Sequence, residues 1–377
     1  MEKVFGAIKK YFREMDRILF LLSCLCTLYG LVLVYSATLS FGTHRYVIIQ
    51  AAGALIGFVG MVLLSKIDYD WFSDVWWILL ILSVGAIGVT LIFGHGPSSD
   101  PSNRNWLSLG FVDIQPSELV KLGFILVFAS FLNKNHETLN TLKGLLKSGT
   151  LLLFFFGLIV LQGDLGSALV FLFIALVMLF VAGLYLRFFG IAALLVLLVS
   201  PLVWEYGLSG YMKKRILFGF TPELDPQNYG FQAIQSKIAI GSGQLTGKGF
   251  THGTLVQYEL LPAKQTDFIF GVAGEEFGFL GASLLIALLA LFLVRTLIIA
   301  RRSKDMLGNL IAMGVFGMFF AQIFENLGMA MGFLPVVGIT LPFFSYGGSS
   351  IVSSWWALGL LQSVYIHRRA NLFSPLD

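Results

Sequence analysis

The sequence predicts an all-α fold: a polytopic integral membrane bundle of about ten transmembrane helices, with one large extracytoplasmic loop between the seventh and eighth. Three observations predict it. Of the 377 residues, 57% are hydrophobic and 12% charged, with a mean hydropathy of +0.83, far outside the range of a water-soluble domain. The apolar residues gather in runs of about 20, the length a helix needs to cross the hydrocarbon. A single long polar stretch, 207–267, interrupts these runs, so the chain reads as one membrane domain, 1–377, with one sizeable extramembrane segment.

Residues 1–17, MEKVFGAIKKYFREMDR, are basic and amphipathic. The apolar run after them, 18–38, is too long for a signal-peptide core and lacks a small-x-small cleavage site, so it reads as an uncleaved first span. Further spans are expected at 46–65, 75–93, 114–132, 149–162, 165–183 and 188–206, then beyond the loop at 268–299, 308–332 and 349–366. The fourth and fifth are short or polar at one end. Cys24 and Cys26 lie two positions apart in the first span and point to different helix faces, giving no disulfide or metal framework.

Orientation follows from the bias of Lys and Arg toward the cytoplasmic side. With the N-terminus inside, sixteen fall in inside segments and eight outside, which places both termini, including the tail 367–377, in the cytoplasm. The net charge of +4 gives no case for nucleic acid. Several outside positives cluster with aromatics and prolines, which points to an anionic ligand on that side.

In the long loop, 232–240 carries Ile234, Ile238 and Ala239 with polar residues between, the pattern of an amphipathic helix lying on the outer leaflet. The nearby GSGQLTGKG is not a nucleotide loop. Only three residues separate Gly243 from Gly247, and Gly249 follows Lys248 where Ser or Thr is required.

Four clusters could carry chemistry. In LPAKQTDFIFGVAGEEFGFLG, Asp267 sits with Thr266 and Lys264 at the outer start of the eighth span, where a carboxylate can simply favour the helix dipole. Glu275 and Glu276 follow about 12 Å deeper, where ionisable groups are costly and usually face a polar cavity. In QPSELVK, Glu118 and Lys121 share a helix face and can neutralise each other, and Arg104 and Trp106 in the preceding loop would lie on the same side. In LQGDLGSALV, Asp164 is as well placed to cap a turn as to meet a ligand. The fourth cluster spans the ninth and tenth helices. Gln322, Glu325 and Asn326 form one polar stripe, the Pro and Gly residues after them mark a re-entrant or broken segment, and SYGGSS places Ser345 and Ser349 at a helix N-terminus.

In this order, YSAT, QPSELVK, QGDLGSALV, YGFQAIQSKIAIGSG, LPAKQTDFIFGVAGEEFGFLG and LPFFSYGGSS resemble the SEDS family (shape, elongation, division and sporulation), over nearly the whole chain. The short tails and the loop GFVDIQPSE resemble its elongation branch, RodA-like, more than its division branch, FtsW-like. The resemblance implies an inverting lipid-linked glycosyltransferase of the bacterial cytoplasmic membrane. Its substrate would be lipid II, a disaccharide-pentapeptide on undecaprenyl pyrophosphate, polymerised into β-1,4-linked peptidoglycan strands at the outer face. Asp267 is then the general base. Arg104, Lys121, Arg215 and Lys264 are the expected pyrophosphate contacts, with Trp106, Glu118, Asp164, Gln235, Ser236, Thr266, Ser345 and Ser349 as further substrate contacts. Glu275 and Glu276 are expected to be mainly structural. A divalent cation, Mg or Mn, would suit the pyrophosphate, although no ligand cluster specifies one. The implied partner is a class B penicillin-binding protein, a transpeptidase. Two departures stand out: many relatives have His where this chain has Gln265, and Pro where it has Gly163. The rival readings are a lipid II flippase, for which the buried charges would line a path, and a non-catalytic scaffold for a transpeptidase.

Overall fold

The computed structural model describes residues 11–96, 103–108, 110, 112–207, 210–228 and 230–368. Residues 1–10 of the expected cytoplasmic segment, 369–377 of the expected tail and the side chain of Arg215 lie outside that set. The helices are α1 Arg17–Leu39, α2 Arg45–Lys66, α3 Trp76–Phe93, α4 Pro116–Lys134, α5 Leu142–Leu161, α6 Leu165–Val181 and α7 Leu186–Leu202. In the long loop follow α8 Gly210–Phe220 and α9 Phe231–Ser242, then α10 Ile269–Arg301, α11 Met306–Ala330 and α12 Gly348–Ile366. A small hairpin, β1 Leu107–Ser108 with β2 Asp113–Ile114, joins α3 to α4. The chain is a polytopic helical membrane protein.

Eight of the described helices are long and apolar enough to cross a membrane. α6 is apolar but only 17 residues long. α12 has the length, 19 residues, but carries five serines and Gln362, polarity that a helix can hold only where protein covers it. It is accordingly buried and packs along α2, with glycines on α2 giving it room. A Cβ on Gly57 would stand 2.7 Å from the Cβ of Trp355. α11 packs on α6, α10 and α4, while α1 and α9 lie against α10. α7 stands at the periphery with none of its residues buried.

Three elements differ from what the sequence predicts. The fifth span begins at Leu142, not 149, because Thr141 caps it, its Oγ1 accepting from the Gly144 N–H at 3.2 Å. Lys143 and Lys147 stay exposed on its first turns. α9 forms where an amphipathic helix is expected, but it is docked on α10 through Ala233, Ser236 and Ala239, and Ile238 is left exposed.

The eighth span is broken rather than continuous. Gly278, at φ 64°, turns the chain inside α10, and loop 244–249 fills the break. The N–H groups of Lys248 and Gly249 donate to the carbonyls of Glu275 and Glu276, while those of Phe279 and Leu280 donate to Gln244 and Leu245. The expected broken segment after α11 is also present. From Met331 to Gly347 the chain has no regular helix, turns at Gly332 and Gly338 with positive φ, and is held inside protein by buried Leu341, Phe343 and Phe344.

Candidate functional site

A cavity of about 850 Å³ lies at the end of the bundle that carries the long loop. α2, α4, α6, α10 and α12 all begin around it, so five helix N-termini direct their positive dipole ends toward this region. That field suits anionic groups, whether side chains or ligand. Among the lining residues are Asp267, Glu118, Lys121 and Asp164, with Arg45, Trp106, Gln115 and Thr266.

Asp267 stands one residue ahead of Phe268, the N-cap of α10, whose side chain makes no capping bond. It is half-buried and lines the cavity. Its backbone carbonyl accepts from Asn326 Nδ2 at 2.9 Å. Thr266, also on the lining, uses its hydroxyl locally, toward the Ala263 carbonyl at 3.3 Å.

Glu118 and Lys121 form the predicted pair on α4. Lys121 Nζ meets Glu118 Oε1 at 2.7 Å, their side chains 1% and 7% exposed, and Glu118 Oε2 accepts from Ser353 Oγ of α12 at 3.1 Å. Asp164 is both cap and hub. It accepts from the Ser167 N–H at 2.9 Å and the Ser167 hydroxyl at 2.8 Å, capping α6. It also accepts from Gln115 Nε2 at 2.9 Å and Asn105 Nδ2 at 3.4 Å, tying the hairpin and α4 to the same point. The preceding Gly163 has φ 81°, which a proline ring cannot adopt, so Asp164 here leaves its turn by a backbone path closed to a Pro-bearing relative.

Several expected contacts lie elsewhere. Lys264 is buried away from the cavity lining, its ammonium donating to Ser40 Oγ at 2.7 Å and to the Val256 carbonyl, under the ring of Phe41 at 4.9 Å. Burial lowers its pKa below the usual lysine value. It anchors the loop and does not face the cavity. Arg104 is exposed and turned toward the end of α3, where Nη1 donates to the Leu91 carbonyl at 3.1 Å. Ser236 joins α9 to the Ala330 carbonyl at 2.7 Å, and Gln235 beside it is not on the lining. Ser345 and Ser349 are likewise structural, donating to the Thr266 carbonyl at 2.5 Å and accepting from the Gln115 N–H at 2.9 Å. Arg215 lies on α8, where Ile216 and Gly219 line the cavity, but its side chain is outside the described residues.

Of the four expected cations, Lys121 is the one described on the cavity wall, and Arg45 joins it unforeseen. Arg45 opens α2, and its outside position was visible in the sequence; what was not visible is that α2 and α12 pack closely enough to bring it to the cavity. Tyr46 and Tyr346, edge to face at 4.9 Å between centroids, line the same side. Among the described residues no group of three or more His, Cys, Asp or Glu converges to hold a metal ion, and Glu118 and Asp164 are already engaged by protein donors.

Glu275 and Glu276, fully buried, do not reach the cavity. Glu275 accepts from Lys248 Nζ at 2.6 Å, from Thr254 Oγ1, and from the N–H groups of Leu255 and Val256. Glu276 accepts from Ser36 Oγ at 2.7 Å, Gln257 Nε2 and the Thr251 N–H. They hold the long loop to α10 and α1, the structural role expected of them.

Residues 16–370 match the model of the FtsW, RodA and SpoVE cell cycle protein family. The chain is 35% identical over 360 residues to the peptidoglycan glycosyltransferase MrdB of Escherichia coli, covering 94% of this chain and 95% of that one. Its fold matches a chain from a peptidoglycan synthase complex with a TM-score of 0.81, at 31% identity, covering 94% of this chain and 98% of that one. It also matches the rod shape determining protein RodA of Thermus thermophilus with a TM-score of 0.71, at 28% identity, covering 95% and 98%. The chain therefore belongs to the SEDS family of polytopic membrane proteins, the FtsW, RodA and SpoVE group.

Proposed function

We propose that the chain is a peptidoglycan glycosyltransferase that polymerises lipid II into β-1,4-linked glycan strands during cell elongation, with Asp267 as general base. The observation that carries this reading is a carboxylate on the wall of a cavity whose lining also holds two cations, Arg45 and Lys121. Glycosyl transfer with inversion needs such a pair of functions: a base for the acceptor hydroxyl and positive charge at the departing pyrophosphate. Asp267 takes the proton of the acceptor's 4-hydroxyl. The oxygen attacks the anomeric carbon of the donor's N-acetylmuramic acid, and the carbon–oxygen bond to the pyrophosphate breaks. Arg45, Lys121 and the helix N-termini around the cavity stabilise the negative charge that develops on the leaving group. Trp106, Glu118, Asp164 and Thr266 shape the site around the sugars, and Arg215 on α8 is kept as a further pyrophosphate contact.

The proposed setting is the bacterial cytoplasmic membrane, with both termini inside and the cavity facing outward. A class B penicillin-binding protein is the proposed partner that cross-links the strands. A flippase fits less well, because the core of the bundle holds Phe292, Phe319 and Phe343 packed ring against ring. The test is purified protein with labelled lipid II, comparing wild type with Asp267→Asn. Loss of glycan chains by a folded Asp267→Asn protein is expected. Wild-type rates from that variant would overturn the assignment of the base.

A further inference from the structure

The turn that carries Asp267 has no helix of its own. Its residues run as turn from Pro262 to Phe268, and Ala263 holds a positive φ of 48°. Left to itself such a segment samples many conformations. Three consecutive carbonyls in it are nevertheless held from outside. That of Gln265 accepts from the Tyr346 N–H at 2.8 Å, that of Thr266 from Ser345 Oγ at 2.5 Å, and that of Asp267 from Asn326 Nδ2 at 2.9 Å.

Asn326 is the unusual member. It is fully buried on α11, and the same amide nitrogen also donates to the Ile339 carbonyl at 2.7 Å. Ile339 belongs to the stretch Pro335 to Thr340, which lines the same cavity as Asp267. One side chain thus joins the backbone of the proposed base to the neighbouring 335–340 stretch of the cavity lining, using two donors of a single group. Ser345 supports the arrangement, because its hydroxyl accepts from the Leu341 N–H at 2.8 Å while donating to Thr266.

We propose that Asn326 is a positioning residue for the reaction: its amide fixes the Asp267 backbone against the 335–340 wall, and Ser345 fixes the adjacent carbonyl. This rests on the reading of Asp267 as the base. A general base works only within hydrogen-bond reach of the proton it removes, and a misplacement of about 1 Å costs on the order of 100-fold in rate. Alanine at 326 offers neither donor, so the Asp267 and Ile339 carbonyls are released together.

The test is a double-mutant cycle on the full-length protein with labelled lipid II, using Asn326→Ala, Asp267→Glu and the two combined. In the wild-type background Asn326→Ala is expected to lower kcat about 30- to 100-fold and to change KM by less than about threefold. In the Asp267→Glu background, where the carboxylate is already displaced by one methylene, the same substitution is expected to cost less than about threefold. An equal loss in both backgrounds would mark a general structural role and overturn the proposal, as would an unchanged kcat for Asn326→Ala. If that variant does not fold, Ser345→Ala, which removes one donor to the same turn, is read through the same cycle with the same criteria. Asp267→Asn keeps the two ideas apart. A wild-type rate from it overturns the base and the positioning role together, whereas an inactive Asp267→Asn with an additive cycle overturns the positioning role alone.

Discussion

Breaking the Glu118–Lys121 pair is the perturbation whose size the structure defines best. The two charges lie 2.7 Å apart with both side chains almost wholly excluded from the surface. At an effective dielectric near 20 their attraction is about 6 kcal/mol, offset by several kcal/mol per ion for leaving water. The pair is therefore close to neutral for stability, while either charge alone is costly. Lys121→Met leaves Glu118 with Ser353 as its one remaining described partner, and Glu118→Gln strands an ammonium; each is expected to cost about 3–5 kcal/mol. Removing both together is expected to cost at most about 2 kcal/mol, so the coupling energy is at least about 4 kcal/mol.

The assay is unfolding of the purified protein in detergent, followed by polymerisation of lipid II by whatever remains folded. Because Lys121 also lines the cavity, the double variant is expected to fold and yet to lose activity. Two results would refute the reasoning. Additive destabilisation would mean that the charges do not compensate each other, and normal polymerisation by the double variant would reduce the pair to a structural tie within α4.

Arg45→Met is expected to lower kcat/KM about 10- to 100-fold, since the guanidinium is assigned to the leaving group; steady-state kinetics with lipid II checks this. Gly163→Ala is expected to destabilise by about 1–3 kcal/mol, because φ is 81° there and a Cβ would lie 2.1 Å from Asn103 Oδ1; chemical denaturation measures it. Lys264 gives a pH dependence of definite sign. Its folded pKa is depressed below the unfolded value, so the unfolded chain binds more protons as pH rises through that interval. Its contribution to stability should therefore increase with pH just below the ordinary lysine value, and Lys264→Met should remove that slope from an unfolding series across alkaline pH.

The spans were legible because length and hydropathy are properties of the chain itself. All ten predicted apolar runs are helices, and the clearest boundary error, at α5, arose because Lys143 and Lys147 were read as loop when they are exposed helix turns. α12 was legible as a helix, but its burial at the bundle centre was not, since that depends on the glycines of α2 facing it. For the cavity, residue types that are rare in a membrane pointed to Glu118, Lys121, Asp164 and Asp267, all four of which line it. The same signal failed for Lys264. What decides its fate is a carbonyl eight residues earlier, Val256, and a hydroxyl just past the end of α1, Ser40, and neither pairing has any periodicity to read. Asn326 was visible as part of a polar stripe, but its partners at Asp267 and Ile339 exist only once the broken segment folds back.

The three carboxylates around the start of α10 show why residue type alone cannot separate chemistry from architecture. Asp267, Glu275 and Glu276 lie within ten residues of one another. The two glutamates are enclosed by donors from the long loop and α1, so their oxygens are taken up by charge-assisted bonds that hold the fold and neither lines the cavity. Those same bonds pin the loop, and the loop supplies Val256, whose carbonyl anchors Lys264 at the foot of the turn bearing Asp267. Under the proposed function Glu275 acts at a distance, by holding the loop on which the turn bearing Asp267 rests, while Asp267 itself lines the cavity and has its backbone carbonyl held by Asn326.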